Sequence, residues 1–423
     1  MALFFGSTQP WRSGLRPERG DASAGGSGRN LLAQPELAGP ANSFFVEIAN
    51  VEQLRNRLTE WADLVDRALE RNIFLEPAFA LPAAQHLGEK GKLAFLLAWE
   101  NSESAPRSRL MALWPVVFPR SPFGWFLRTW RHDYCCAGVP LLDQDNAQKS
   151  LDSIIRFLDA ARPRLLALSV EQIPQSGAFF AFLSRHAARH ERAIEYVARY
   201  HRAALNTIPR EASAQNLAPA KKRKELKRQY RRLAERGERG EITFQIATEG
   251  EALEKGIESF LILESRGWKG RQGGAFLRRG GHAMFLRSMV RSLAQAGKCR
   301  IYSLACGERL ISSNIVLTDE GVAYFWKTAF NEDFAAFSPG ALLTLLMTES
   351  FLNEPDLIEA DSCAIPNHSM IAHIWREKKA FSDMVISIRP GANWVARQLA
   401  RREALVRLAR ERVKLMLGRL RRF

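Results

Sequence analysis

The sequence predicts an α+β protein of two tandem units, each a mixed and mostly antiparallel sheet flanked by helices, followed by a basic C-terminal helix. Three observations predict it. Two strand–turn–strand patterns, at 92–118 and at 298–317, sit at corresponding places in the two halves of the chain. Segments with apolar residues at helical spacing separate these hairpins from the remaining strand patterns. A strand–loop–helix–strand run closes the second half between Gly321 and Cys363. A length of 423 residues accommodates two domains.

Residues 1–42 are rich in Gly, Ser, Ala, Pro and Arg without periodicity, which predicts a disordered leader. The first unit is expected over 43–205. It opens on a strand at Phe44, and a helix is expected over 51–71, where Leu54, Leu58, Trp61, Leu64 and Leu69 recur near helical spacing. A short helix at 79–86, the first hairpin, and an aromatic-rich stretch reaching Asp143 follow. A helix at 147–161, a strand at 164–170, a helix at 179–189 and a strand at 194–205 complete it. The second unit is expected over 206–390. Its order is a basic helix (221–236), a strand (242–247), helices at 251–264 and 283–296, the second hairpin, a strand at 322–329, a helix at 341–351, a strand at 357–363 and a last helix running through Ile374 to Lys378. The final unit, 391–423, is read as one amphipathic basic helix, with Leu399, Val406, Val413 and Leu420 seven residues apart.

Composition narrows the function classes. A hydrophobic share of 46% and a charged share of 25% are those of an ordinary globular protein. No apolar run approaches the ~20 residues of a membrane-spanning helix, and the first residues are too short a hydrophobic run for a signal peptide. The five cysteines stand in apolar contexts without metal-ligand spacing, which predicts reduced thiols, no bound metal and a cytoplasmic setting. The net charge of +16 is local. Residues 219–240 carry ten basic and three acidic side chains, and residues 397–423 carry ten and two, so these segments hold +15 of it. The basic helix would attract phosphate without reading bases; it has one aromatic and no zinc pattern, so no specific nucleic-acid binding is expected.

The chemistry-bearing stretch is 321–378. A strand that leads through a small-residue loop into a helix start suits a phosphorylated ligand. The first N–H groups of a helix lack internal partners, and the helix dipole favours an anion there. Pro339 fits the first turn, Ser338 fits the cap, and Gly340 lets a ligand approach the backbone.

The runs Ala323-Tyr324-Phe325-Trp326-Lys327, Phe337-Ser338-Pro339-Gly340, Asp361-Ser362-Cys363-Ala364 and His373-Ile374-Trp375-Arg376-Glu377, with Leu263-Glu264-Ser265-Arg266-Gly267-Trp268-Lys269-Gly270 upstream, resemble the bacterial GNAT acetyltransferases of the cellulose-biosynthesis CelD type. The resemblance spans roughly 43–390 and is densest over 260–378. It implies two GNAT-like domains, the second catalytic, a doubling also seen in the related Fem-type peptidyltransferases. It implies direct acyl transfer from acetyl-CoA to an amine or hydroxyl, and an acceptor among exopolysaccharide or cell-envelope precursors.

Such a transfer needs the pyrophosphate held, the thioester oxygen polarised and the nucleophile deprotonated. Ser338, Pro339, Gly340 and Ala341 are the candidates for the first task. Backbone N–H groups near Lys327 to Ala329, at the end of the central strand, are the candidates for the second, which makes Lys327 and Thr328 cofactor-binding candidates. For proton transfer the candidates are Asp361, Glu264 and His368, with His373 behind them; each has a structural reading as a cap or a surface group. Trp268, Lys269, Tyr324 and Trp326 are candidates for the acceptor cleft. Two rivals stay open: a Fem-like aminoacyltransferase using charged tRNA, and a non-catalytic basic scaffold. The tail's apolar stripe beside arginines suits peripheral contact with an anionic membrane, and equally docking on the protein itself.

Overall fold

A computed structural model describes residues 44–88, 93–101, 109–118, 126–161, 165–208, 219–235, 241–366 and 368–420. The expected leader lies outside the described residues. In chain order the strands are β1 Phe44–Ala49, β2 Leu93–Glu100, β3 Arg109–Val117, β4 Phe126–Thr129, β5 Leu141–Leu142, β6 Ala167–Pro174, β7 Ile194–Asn206, β8 Ile242–Ala247, β9 Cys299–Cys306, β10 Arg309–Asp319, β11 Val322–Phe330, β12 Glu359–Asp361 and β13 Glu377–Ser387. The helices are α1 Val51–Arg55, α2 Leu58–Asp66, α3 Pro77–His86, α4 Ala147–Ala160, α5 Ala178–Arg189, α6 Ala220–Glu235, α7 Gly250–Arg266, α8 Trp268–Arg271, α9 His282–Gln295, α10 Pro339–Asn353 and α11 Asn393–Leu420.

All strands join one sheet in the order β1-β2-β3-β4-β6-β13-β7-β12-β11-β10-β9-β8, with β5 paired to β3. Both hairpins form as expected, β2 against β3 and β9 against β10, each antiparallel. The α+β class and the mixed sheet with flanking helices therefore hold, but the two halves share a single sheet. Its seam is made by β13, which pairs antiparallel with β6 on one side and β7 on the other. β7 in turn passes its end, Ala204–Asn206, to β12. A strand late in the second half is thus built into the middle of the first.

Two expectations fail here. The helix expected over 51–71 is two helices, α1 and α2, broken at Asn56–Arg57, where the Asn56 and Arg57 N–H groups turn back three residues to the Gln53 and Leu54 carbonyls at 3.2 and 3.0 Å and so close α1. The last helix expected through 374–378 does not form either. Ile371–His373 is one 3₁₀ turn and Glu377 already begins β13. The strand signal was the run Phe381 to Ser387, all of it buried at the seam, where a central strand reads as apolar rather than alternating.

Helices cover both faces. One core joins the halves directly: Trp61, Phe74 and Phe79 pack with Phe260, Phe285 and Trp326. A second lies under α4 and α5, and a third, around Phe325, Leu343, Phe351 and Trp375, lies between the sheet and α10 with α6. Helix α3 docks on α9, and Gly281, which opens α9 at φ 80°, makes that docking possible. A Cβ there would stand 2.4 Å from the His86 carbonyl oxygen, so both the dihedral and the contact demand glycine.

The seam predicts that the second half does not fold alone. A chain starting at residue 207 keeps β13 but lacks both of its neighbours. Circular dichroism and amide NMR of such a fragment should show an unfolded or aggregating species, while the full chain unfolds in one transition. A well-dispersed spectrum from the fragment would contradict this.

Candidate functional site

The site is organised by an irregularity in β11. Ile315 of β10 faces Lys327, but the next residue, Val316, faces Phe325, so Trp326 is the extra residue of a β-bulge. A bulge puts consecutive side chains on one side and re-aims the strand. Trp326 packs into the inter-half core with Phe79 and Phe285 and donates its indole N–H to the Tyr134 carbonyl at 2.8 Å. Lys327 turns to the same side: its ammonium lies 4.6 Å from the centre of the Tyr134 ring and 3.4 Å from the Asp133 carbonyl oxygen. Burial lowers the pKa of this lysine, since the charged form loses water.

At the same level β11 loses its parallel partner. Val322, Ala323 and Tyr324 pair with Glu359, Ala360 and Asp361, and beyond Tyr324 no strand pairs with β11 on that side among the described residues. β12 ends at Asp361, so the parallel ladder opens into a splay at that level. Arg202 of β7 borders the splay. It is 3% exposed, its guanidinium stacks 3.8 Å over the Phe381 ring, and its Nη1 lies 3.5 Å from Asp361 Oδ2 without a hydrogen-bond partner. Burial is the largest influence and opposes its charge, but the Asp361 carboxylate together with Tyr200, Cys136 and Cys363 outweighs it, so the pKa is raised and the guanidinium stays charged. The Tyr324 ring packs edge-on against Phe74 at 5.3 Å, and its hydroxyl is kept protonated by burial.

Helix α10 begins beside this splay. Ser338 stands at the cap position in the left-handed region, φ 51°, and its side chain makes no cap hydrogen bond; its carbonyl instead accepts the N–H groups of Ala341 and Leu342 at 2.9 and 3.1 Å. Pro339 brings no N–H, so the Gly340 N–H is the donor of the first turn left outside this arrangement. A left-handed non-glycine residue costs on the order of 1 kcal/mol, a strain that clusters at ligand sites. Pro339, Gly340 and Ala341 are buried. The turn at His368–Met370 lies over them, with Met370 Sδ 3.3 Å from where a Gly340 Cβ would stand. His368 Nδ1 accepts the Met370 N–H at 3.2 Å, and burial lowers its pKa. His373 is exposed in the 3₁₀ turn, apart from this group. Helix α6 packs beside the turn that precedes Ser338, with Arg232 6.0 Å from the Phe337 ring, so the basic helix flanks the start of α10.

The remaining expected residues are tightly engaged. Asp361 Oδ1 accepts the Cys363 N–H at 2.8 Å while Oδ2 faces Arg202. Glu264, 4% exposed, accepts from Lys269 Nζ at 3.0 Å and from the Phe276 N–H at 2.9 Å. Lys269 also donates to the Thr328 carbonyl at 2.9 Å, which ties α8 to β11. The Trp268 N–H is held by Glu332, which pairs with Arg271. These groups fix the walls of the site.

Sequence reasoning passed over the groups with free chemistry. Between the halves lies a cavity of about 170 Å³, with His132, Asp133 and Tyr134 on one wall and Arg279 and His282 on the other. The Tyr134 hydroxyl and His282 Nδ1 are 2.6 Å apart, and Asp133 pairs with Arg279 at 3.0 Å. Burial pushes His132 down to about 3; burial and the Arg279 charge push His282 down to about 4. Both imidazoles are therefore neutral at pH 7, and burial keeps the Tyr134 hydroxyl protonated. The signal was present in Trp130-Arg131-His132-Asp133-Tyr134, where titratable and aromatic side chains alternate, but nothing local tied it to His282.

Residues 220–357, from the start of α6 to just before β12, match the acetyltransferase (GNAT) domain family. No curated protein matches. Among solved structures, FemX is similar at 10% identity and a TM-score of 0.49, over 81% of this chain and 98% of that one. A tandem GNAT protein from the clavulanic acid biosynthesis pathway is similar at 13% identity and 0.41, over 82% and 99%. The C-terminal domain of a putative lysylphosphatidylglycerol synthetase from Agrobacterium fabrum is similar at 12% and 0.43, over 81% and 94%. The stretch that holds β11, its bulge and the start of α10 thus lies inside the segment that matches the acetyltransferase (GNAT) domain family.

Proposed function

We propose that this chain is an acetyl-CoA-dependent acyltransferase that acts on an amine or hydroxyl of an exopolysaccharide or cell-envelope precursor. The observation that carries the reading is the splay of β11 and β12 beside the bulge at Trp326, with the first turn of α10 next to it. An extended thioester fits alongside the unpaired edge of β11, with its carbonyl oxygen near the backbone of Lys327 to Ala329. Its pyrophosphate fits the first turn of α10, where Gly340 offers an N–H and the helix dipole favours an anion. The cationic α6 beside that turn raises the local concentration of such a ligand. A Fem-like transfer from charged tRNA is the second reading, favoured by the same cations on α6; the precursor class rests on the resemblance to CelD-type sequences.

The acceptor enters from the cavity between the halves. Its nucleophile attacks the thioester carbonyl carbon, the new bond to nitrogen or oxygen forms, the C–S bond breaks and sulfur leaves as thiolate. The acceptor proton passes to the Tyr134 oxygen as the Tyr134 hydroxyl proton moves to His282 Nδ1, and from there it returns to the thiolate. Asp361 and Glu264, whose oxygens are already engaged, act as positioning residues: Asp361 holds Arg202 and the 363 turn, Glu264 holds Lys269 and through it β11. His368 shapes the cover over the phosphate site.

A thermal-shift panel of acetyl-CoA, free CoA and tRNA separates the readings: stabilisation by CoA species supports the first, by tRNA alone the second, and by neither a non-catalytic scaffold. The Gly340→Asp protein is expected to lose at least ~100-fold in CoA affinity by calorimetry, because a carboxylate then occupies the pyrophosphate position. Gly340→Ala is the folding control, since its Cβ meets only the flexible end of Met370. Unchanged affinity in the Asp variant would place the cofactor elsewhere.

For proton transfer, Tyr134→Phe and His282→Ala should leave CoA affinity intact and lower turnover ~10²-fold, read as thiol release from acetyl-CoA with glucosamine as acceptor. His282 acts in its neutral form, so wild-type turnover should stay flat from pH 8 down to 6, with its acid limb displaced toward pH 4. An inflection near the ordinary imidazole value of about 6.5, or full activity in both variants, would remove the pair from the mechanism.

A further inference from the structure

Helix α11 is docked by one face and carries a second apolar face on its opposite side. Ala396, Leu399 and Ala400 are buried against Val385 of β13 and Ala167 of β6. Arg397 pairs with Glu195 at 3.2 Å, and Arg407 pairs with Asp383 at 2.6 Å and lies 5.4 Å from the Tyr200 ring. These contacts fix the rotation of the helix about its axis. At ~100° per residue, Leu405 and Met416 then point away from the protein, with Trp394 and Ala409 in line and Leu408 and Val413 at the edges. Trp394, Leu405, Leu408, Val413 and Met416 are each more than half exposed. Such large side chains spread over a rod of about 33 Å are too many for a solvated face.

The charges on that side have one sign. Arg401, Arg402 and Arg412 lie among the exposed apolar residues, and none of them has a carboxylate partner among the described residues. The two glutamates of the helix, Glu403 and Glu411, fall on the other half-turn, where Glu411 lies 3.5 Å from Arg407. We propose that the outward face of α11 docks the protein on an anionic lipid surface. A helix with an apolar stripe among unpaired cations and no acidic group on that side complements anionic headgroups over an acyl boundary. Trp394 at one end is the residue type that settles at such a boundary. A protein partner would call instead for a compact patch with a polar rim. The helix lies along the surface: no helix of the described residues is long and apolar enough to cross a membrane.

This proposal stands apart from the acyltransferase reading, and its test does not use activity. Full-length protein is sedimented with phosphatidylcholine vesicles, with or without phosphatidylglycerol, at low and high salt. Sedimentation with phosphatidylglycerol vesicles at low salt, released by high salt, is expected. Leu405→Asp combined with Met416→Asp should weaken it at least ~10-fold with an unchanged melting temperature, because both side chains are exposed. Indifference of the wild type to phosphatidylglycerol vesicles, equal binding to neutral ones, or full binding by the double variant would each overturn the proposal. So would light scattering in which the double variant converts an oligomer to a monomer while vesicles are ignored; that face would then belong to a second copy of the chain.

Discussion

The structure depends on the two-sided pairing of β13. Every residue from Glu377 to Ser382 faces β7, and the stretch from Phe381 to Ser387 also faces β6, so this one strand closes the sheet across both halves. Each ladder bond contributes only about 1 kcal/mol net, but the pairing decides geometry. It brings the 130–136 segment of the first half against β11 of the second, where the indole N–H of Trp326 seizes the Tyr134 carbonyl. The cavity between the halves exists because that contact is made, and Gly281 lets α9 approach α3 closely enough to close its far side.

Within this frame, electrostatics divides the side chains into two groups. Asp361, Glu264, Lys269 and Arg202 are buried or half-buried charges held by opposite charges, and removing one member of such a pair is costly because it strands the other. They are suited to holding shape. Tyr134, His132 and His282 are polar, neutral and next to open space. They are suited to moving a proton or meeting a ligand. Lys327 lies between the two groups, with its charge weakened by burial and resting on an aromatic ring.

Much of the fold was legible because it is written locally. The hairpins, the basic helix and the strand–turn–helix at Ser338 to Ala341 each carry their own periodicity and turn residues. What escaped was non-local. β13 was not read at all beyond Lys378, and the helix expected through 374–378 took its first two residues, because its partners lie about 170 to 220 residues earlier. The bulge at Trp326 leaves no mark in the sequence, since it is a property of two strands in register. Ser338 was read as a side-chain cap but acts through its carbonyl, a matter of one backbone dihedral. Tyr134 and His282, 148 residues apart, meet only because the halves interlock. The stretch that carries the motifs was legible at the level of the GNAT domain, whose family residues 220–357 match; the CelD type that the motifs resemble is a finer reading than this match.

The central claim is that a thioester ligand lies along the unpaired edge of β11 and ends at the first turn of α10. Amide hydrogen exchange with and without acetyl-CoA measures this at the residues concerned. The account predicts slowed exchange confined to the 325–330 segment of β11 and to Gly340 through Leu343, with β8, α4 and α5 unaffected. Protection absent from both segments in the presence of saturating acetyl-CoA, or concentrated in the first half alone, would contradict it.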